Sequence, residues 1–131
     1  MFEGEALQDR PIILVIEDDR QLQSIVEDAL SDGGFEPAIA GSGEEALTLL
    51  KAFTTKYRAL VVDIRLLGRL DGWRVARGAR EIDASFPVIY ITGGGGDEWP
   101  TKGVPGSILL QKPFSPDELV AAVAKVIAAK A

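Results

Sequence analysis

Four kinds of polar side chain each stand directly after a short run that reads as a strand, and together they can handle a phosphoryl group. Glu17, Asp18 and Asp19 follow Ile12 to Ile16, Asp63 follows Ala59 to Val62, Thr92 follows Val88 to Ile91, and Lys112 follows Ser107 to Gln111. Short all-apolar runs bounded by polar residues read as buried parallel strands, and ligands of open α/β sheets bind beyond the carboxyl ends of such strands. Carboxylates gathered at that edge call for a cation. Two carboxylates about 5 Å apart repel by roughly 3 kcal/mol at an effective dielectric of about 20, so an acidic trio without compensation is strongly unfavourable.

Magnesium and the Lys112 ammonium would balance Glu17, Asp18 and Asp63, and magnesium prefers hard oxygen ligands with retained waters. In such a site Asp63 is a nucleophile. Metal and lysine neutralise charge on an incoming phosphoryl group, and the Thr92 hydroxyl donates to one of its oxygens. The expected product is an aspartyl phosphate, formed by positioning and charge neutralisation.

The elements that must position these groups alternate along the chain as strand and helix, the pattern of a doubly wound five-stranded parallel sheet. A helix starting near Asp19 spaces Leu22, Ile25, Val26, Ala29 and Leu30 as one core face and stops at Gly33 and Gly34. After a strand from Glu36 to Ala40, Ser42 and Glu45 form a capping box for a second helix with Ala46, Leu47, Leu50 and Phe53 inward. Asp71 reads as the cap of a third helix that turns Val75, Ala76, Ala79 and Ile82 inward, and Asp19 also reads as a cap rather than a ligand. Trp73 reads as packing on that helix. Ser115, Pro116 and Glu118 open a last helix that buries Leu119, Ala122, Val123, Val126 and Ile127.

Between the fourth and fifth strands, Gly93 to Gly106 carries consecutive glycines with Pro100 and Pro105, which oppose a regular helix. One short helical turn at most is expected there. A mobile surface loop is the plain reading, and Trp99 offers a binding anchor within it.

The 131 residues, 47% of them hydrophobic, suffice for one domain with a sizeable core, read as a domain over 11–131 behind an N-terminal extension at 1–10. A net charge of −6 with no basic stretch argues against direct nucleic-acid binding. Cysteine and histidine are both absent, so any histidine chemistry belongs to a partner. The apolar runs are too short to cross a bilayer and residues 1–10 do not resemble a secretory signal, so a cytoplasmic protein without membrane insertion is expected.

In order along the chain stand Ile-Leu-Val-Ile-Glu-Asp-Asp at 13 to 19, Val61-Val62-Asp63, Asp71-Gly72, Ile91-Thr92-Gly93 and Lys112-Pro113-Phe114. With these motifs the chain resembles the receiver domain of two-component response regulators from about Pro11 to Ala129, a flavodoxin-like architecture. The resemblance implies a phosphoacceptor at Asp63, magnesium held by Asp18, Asp63 and the Arg65 carbonyl with Glu17 acting largely through water, and phosphoryl contacts from Thr92 and Lys112. It also implies a cis Lys112–Pro113 bond. The expected phosphate donor is a sensor histidine kinase or phosphotransfer protein, and the expected output is a downstream protein target. The domain would be a regulator that assists its own phosphorylation rather than an enzyme, with no output domain in this chain, and homodimerisation stays open. Partner choice is expected on the first helix and the loop after strand five, at Arg20, Gln21, Gln23, Ser24 and Phe114.

The chain departs from the family pattern at three places. The loop after Asp63 is one residue longer, with Leu67 where proline is common; Leu109 replaces a usual aromatic; and Gly93 to Gly106 replaces a well-formed fourth helix. The last two of these changes predict a different route of signal transmission. Three other functions remain in view. A phosphorylation-independent binding module would dispense with the site. A magnesium phosphatase ordinarily wants an acid two residues past Asp63, where Arg65 stands. A flavin-type module would need a phosphate loop where Glu17, Asp18 and Asp19 repel one.

Overall fold

Successive side chains of a strand point to opposite faces, so the buried strands of this chain sort their residues between two helix layers. The computed structural model describes residues 10–94 and 96–130. Of the N-terminal extension, all but Arg10 lies outside the described residues. The strands are β1 (Ile12–Ile16), β2 (Glu36–Ala40), β3 (Tyr57–Asp63), β4 (Val88–Thr92) and β5 (Ile108–Gln111). They form one parallel sheet in the order β2-β1-β3-β4-β5. The helices are α1 (Arg20–Asp32), α2 (Gly43–Ala52), α3 (Gly72–Ile82), the single turn α4 (Trp99–Lys102) and α5 (Pro116–Lys130).

Ile13, Val15, Val61, Ile89 and Ile91 face α1 and α5, where they meet Val26, Leu30, Leu119 and Val123. Leu14, Ile16, Leu60, Val62 and Tyr90 face α2 and α3 and meet Ala46, Leu50, Trp73 and Val75. Each fully buried side chain of this kind contributes about 1.5–3 kcal/mol relative to exposure, and the charged residues Glu36 and Arg58 fall only at the exposed starts of β2 and β3. Trp73 lies against Tyr90 with ring centroids 4.8 Å apart.

Caps follow the expected residues. Asp19 accepts from the Gln21 and Leu22 amides, Asp71 from Arg74, Ser42 from Glu45, and Ser115 and Glu118 close a reciprocal capping box. Glu45 differs in one respect: its carboxylate reaches the Gly41 amide rather than that of Ser42.

Two residues expected in the core are outside it. Ile25 is 53% exposed and Phe53 76% exposed. Ile25 flanks a stripe whose buried centre is Val26, Ala29 and Leu30. Phe53 is the C-cap of α2 with φ of 56°, so the chain has already left the helix and helical spacing no longer sets its direction.

The glycine-rich segment holds a 3₁₀ turn at Gly96–Glu98 followed directly by α4, more helix than the one short turn expected, because Pro100 sits in the first turn of α4 where its missing N–H costs nothing. Trp99, expected as a loop-borne anchor, is instead half-buried against the α2–α3 side of the core, and its indole N–H donates to Ser107 at 2.9 Å. Ser107 donates in turn to the Val104 carbonyl, and the Val104 amide donates to the Tyr90 hydroxyl. Gly96 sits so close to β5 that a Cβ there would lie 2.9 Å from Leu109 Cδ2.

Candidate functional site

Strand register alone brings the reactive groups together. Ile16 pairs with Val62, so Glu17 emerges beside Asp63; Asp63 pairs with Ile91, next to Thr92; and Thr92 pairs with Gln111, so Lys112 emerges beside it. The order β2-β1-β3 places the acidic residues where the sheet reverses direction, the usual crevice for ligands in such folds.

Asp63 is 5% exposed and both of its oxygens are engaged. Oδ2 accepts from Lys112 Nζ at 2.7 Å and Oδ1 from the Arg65 amide at 2.8 Å. Gly72 makes this placement feasible. A Cβ on Gly72 would stand 2.4 Å from the Asp63 carbonyl oxygen and 2.7 Å from Ile64 Cα, and the Gly72 amide donates to Ile64 at 2.9 Å. The start of α3 therefore clamps the end of β3.

Glu17 is 1% exposed, and its Oε2 accepts from the amides of Asp18 and Asp19. Its Oε1 is buried with no hydrogen-bond donor; Lys112 Nζ is 3.6 Å away, an ion-pair distance too long for a hydrogen bond. Burial, with the Asp63 carboxyl group beside it, pushes the Glu17 pKa up to about 8 against the restraining amide of Asp19 and charge of Lys112. Burial pulls the Lys112 ammonium down, but the hydrogen bond and charge of Asp63, with Glu17 behind them, outweigh it and hold its pKa above the ordinary value. The Lys112–Pro113 peptide is cis.

Asp18 is half-buried at the mouth of the site, and one oxygen, Oδ2, accepts from the Leu67 amide at 2.8 Å. Thr92 is 1% exposed. Its hydroxyl donates to the Gly94 carbonyl and accepts from the Gly94 amide at 3.0 Å, so it must let go of that carbonyl before it can donate to a ligand.

The donor set fits magnesium, a hard cation that usually keeps several of its waters. Among the described residues no group of three acidic side chains is disposed to cage an ion unaided. Glu17 Oε1 is buried beside Asp63 without a hydrogen-bond donor, and Asp18 and Asp63 add carboxylate oxygens at the same strand ends.

Sequence reasoning did not anticipate the Leu67 amide, whose contact spans distant parts of the chain, or the clamp at Gly72, whose only signal was the Asp-Gly pair. Gln23, expected on the free face of α1, is half-buried with its amide donating to the Glu17 carbonyl. Phe114 is packed against the α1–α5 side of the core.

The family model described as the response regulator receiver domain matches residues 13–124. The chain belongs to the response regulator receiver domain family. A receiver protein from Sinorhizobium medicae WSM419 is 39% identical and superposes with a TM-score of 0.90, covering 95% of this chain and 99% of that one. The probable transcriptional regulator ycf27 of Porphyra purpurea is 33% identical over 117 residues, 88% of this receiver and 46% of that protein. PhoP, the alkaline phosphatase synthesis transcriptional regulatory protein of Bacillus subtilis, is 31% identical over 88% of this receiver and 48% of its own length. The chain thus spans about half the length of these curated relatives. The crystallised receiver domain of the Pseudomonas aeruginosa histidine kinase PA1611, 26% identical with a TM-score of 0.80 over 91% of this receiver and 98% of that chain, carries a magnesium ion in its active-site cleft. As a receiver domain, this chain is regulatory in kind. Among the described residues no helix is long and apolar enough to cross a membrane.

Proposed function

We propose that this receiver accepts a phosphoryl group on Asp63 from a phosphohistidine of a sensor kinase or phosphotransfer protein, in a magnesium-dependent reaction, and then signals or relays the phosphate through protein partners. The observation that carries this reading is the Lys112 Nζ to Asp63 Oδ2 contact of 2.7 Å beside the buried, orphaned Glu17 Oε1. A carboxylate oxygen of Asp63 attacks phosphorus, the P–N bond breaks, and the electron pair stays on the donor imidazole. Lys112 loses its partner as Asp63 becomes an acyl phosphate and remains facing the phosphoryl oxygens. Thr92 exchanges the Gly94 carbonyl for a phosphoryl oxygen.

Magnesium, held by Asp18, Asp63 and the Arg65 carbonyl with Glu17 nearby, would supply charge neutralisation for the phosphoryl oxygens. The magnesium in the PA1611 receiver supports this assignment. Beside the site, Leu22, Ile25, Pro113 and Phe114 line an apolar depression of about 230 Å³ that reaches Lys112. Exposed Ile25, with Arg20, Gln21 and Ser24 on the same helix, supports this surface as the docking face for the phosphohistidine donor.

Transfer from a phosphorylated histidine protein tests the reading. The expected product is labelled receiver whose label is released by hydroxylamine and is missing from Asp63→Asn. Label that survives hydroxylamine, or persists in that variant, would contradict it.

A further inference from the structure

Carboxylates that bind a metal through one oxygen are commonly fixed by a hydrogen bond at the other, and losing that outer partner typically weakens binding. Asp18 has this arrangement in place. Its Oδ2 accepts from the main-chain N–H of Leu67 at 2.8 Å, across 49 residues of sequence. Two residues earlier the Arg65 amide donates to Asp63 Oδ1 at 2.8 Å. The β3–α3 loop thus ties Asp18 and Asp63 with alternate N–H groups, and in sequence the carbonyl of Arg65 lies between the two ties.

The loop conformation that allows this is specific. Gly68, directly after Leu67, takes φ of +103°, a region other residues rarely adopt. The Leu67 side chain itself is 77% exposed, so the residue is held by its backbone and not by burial. Proline at this position would have no N–H to give. The leucine at this position therefore supplies a main-chain donor aimed at Asp18.

We propose that the Leu67 main-chain N–H is a positioning group for the cation site, holding Asp18 Oδ2 so that Oδ1 is presented to magnesium. The proposal rests on the metal-dependent reading of the site given above. It makes magnesium affinity depend on the backbone of this loop and not on the identity of the side chain at its tip.

Titration calorimetry with magnesium chloride on the full chain tests it. Leu67→Pro is expected to weaken magnesium binding by about 10- to 100-fold, the usual effect of losing an outer-shell partner. Leu67→Ala, which keeps the N–H, is expected to track the wild type. Equal or tighter binding by Leu67→Pro overturns the proposal while leaving the receiver reading intact. A wild-type chain that binds no magnesium overturns both. Should Leu67→Pro fail to fold, amide hydrogen exchange decides: the Leu67 amide is expected to be protected in the wild type and to lose that protection in Asp18→Ala. An amide that exchanges equally fast in both overturns the proposal.

Discussion

Lys112 Nζ stands 2.7 Å from Asp63 Oδ2 and 3.6 Å from Glu17 Oε1, so one ammonium serves two buried carboxylates contributed by different strands. Asp63 has the hydrogen bond; Glu17 has only the field. Replacing Lys112 with alanine removes both and leaves only magnesium and the Thr92 hydroxyl to face the charge of an incoming phosphoryl group. Loss of a preorganised charge of this kind costs about 100- to 1,000-fold in rate, and we expect that range for phosphorylation of Lys112→Ala by acetyl phosphate. Uptake at the wild-type rate would remove Lys112 from the chemistry.

Glu17 makes stability depend on pH. The folded protein raises its pKa from 4.5 to about 8, chiefly by burial and then by the adjoining Asp63 carboxyl group. The folded state therefore holds this proton more tightly than the unfolded chain does. The resulting contribution is fully present below 4.5 and is lost as pH rises through about 8. Thermal unfolding in chelator should show a Glu17-dependent loss of stability across that window, and Glu17→Gln should remove it. Magnesium should recover the loss at the alkaline end. An identical pH profile in the glutamine variant would show that Glu17 does not titrate as described.

Gly72 is predicted to be intolerant of any side chain. A Cβ placed 2.4 Å from the Asp63 carbonyl oxygen and 2.7 Å from Ile64 Cα must push the start of α3 away from the end of β3. Strain of this kind in a packed interior costs about 1–3 kcal/mol. Urea denaturation of Gly72→Ala should show it, with slower phosphorylation because Asp63 moves with its own backbone. A variant as stable and as reactive as the wild type would mean that the clamp is slack.

Ile25 separates docking from chemistry. It is 53% exposed and lines the apolar depression that reaches Lys112, without itself carrying a group that reacts. Ile25→Asp should slow transfer from a phosphohistidine protein by about 10-fold or more, the loss expected when a central apolar anchor of an interface is removed. Uptake from acetyl phosphate should be unaffected. Equal slowing of both donors would place the effect in the fold rather than at the interface.

The sheet was legible because its strands carry apolar residues on both faces, and the runs end in polar residues at the same edge. Helix caps were legible for a related reason: Asp19, Ser42, Asp71 and Ser115 each satisfy amides within three residues of themselves. Long-range contacts left no such trace. The Leu67 amide meets Asp18 only because the chain returns across the sheet edge, and a main-chain donor has no side-chain identity to read. Ile25 and Phe53 were misplaced because spacing locates a stripe without giving its width or the point where the helix ends. Trp99 was misread because its partner, Ser107, lies beyond two prolines and two glycines whose path sequence does not reveal. The meeting of Asp63, Lys112 and Glu17 was legible because each closes a strand or follows it by one position.

The most direct measurement is the intact mass of the receiver after incubation with acetyl phosphate and magnesium, followed from the earliest times so that rapid hydrolysis is seen. One added phosphoryl group is predicted for the wild type, with none in Asp63→Asn and none in chelator. An unmodified wild-type mass throughout, or an adduct that survives the loss of Asp63, would contradict the assignment of Asp63 as the phosphoacceptor.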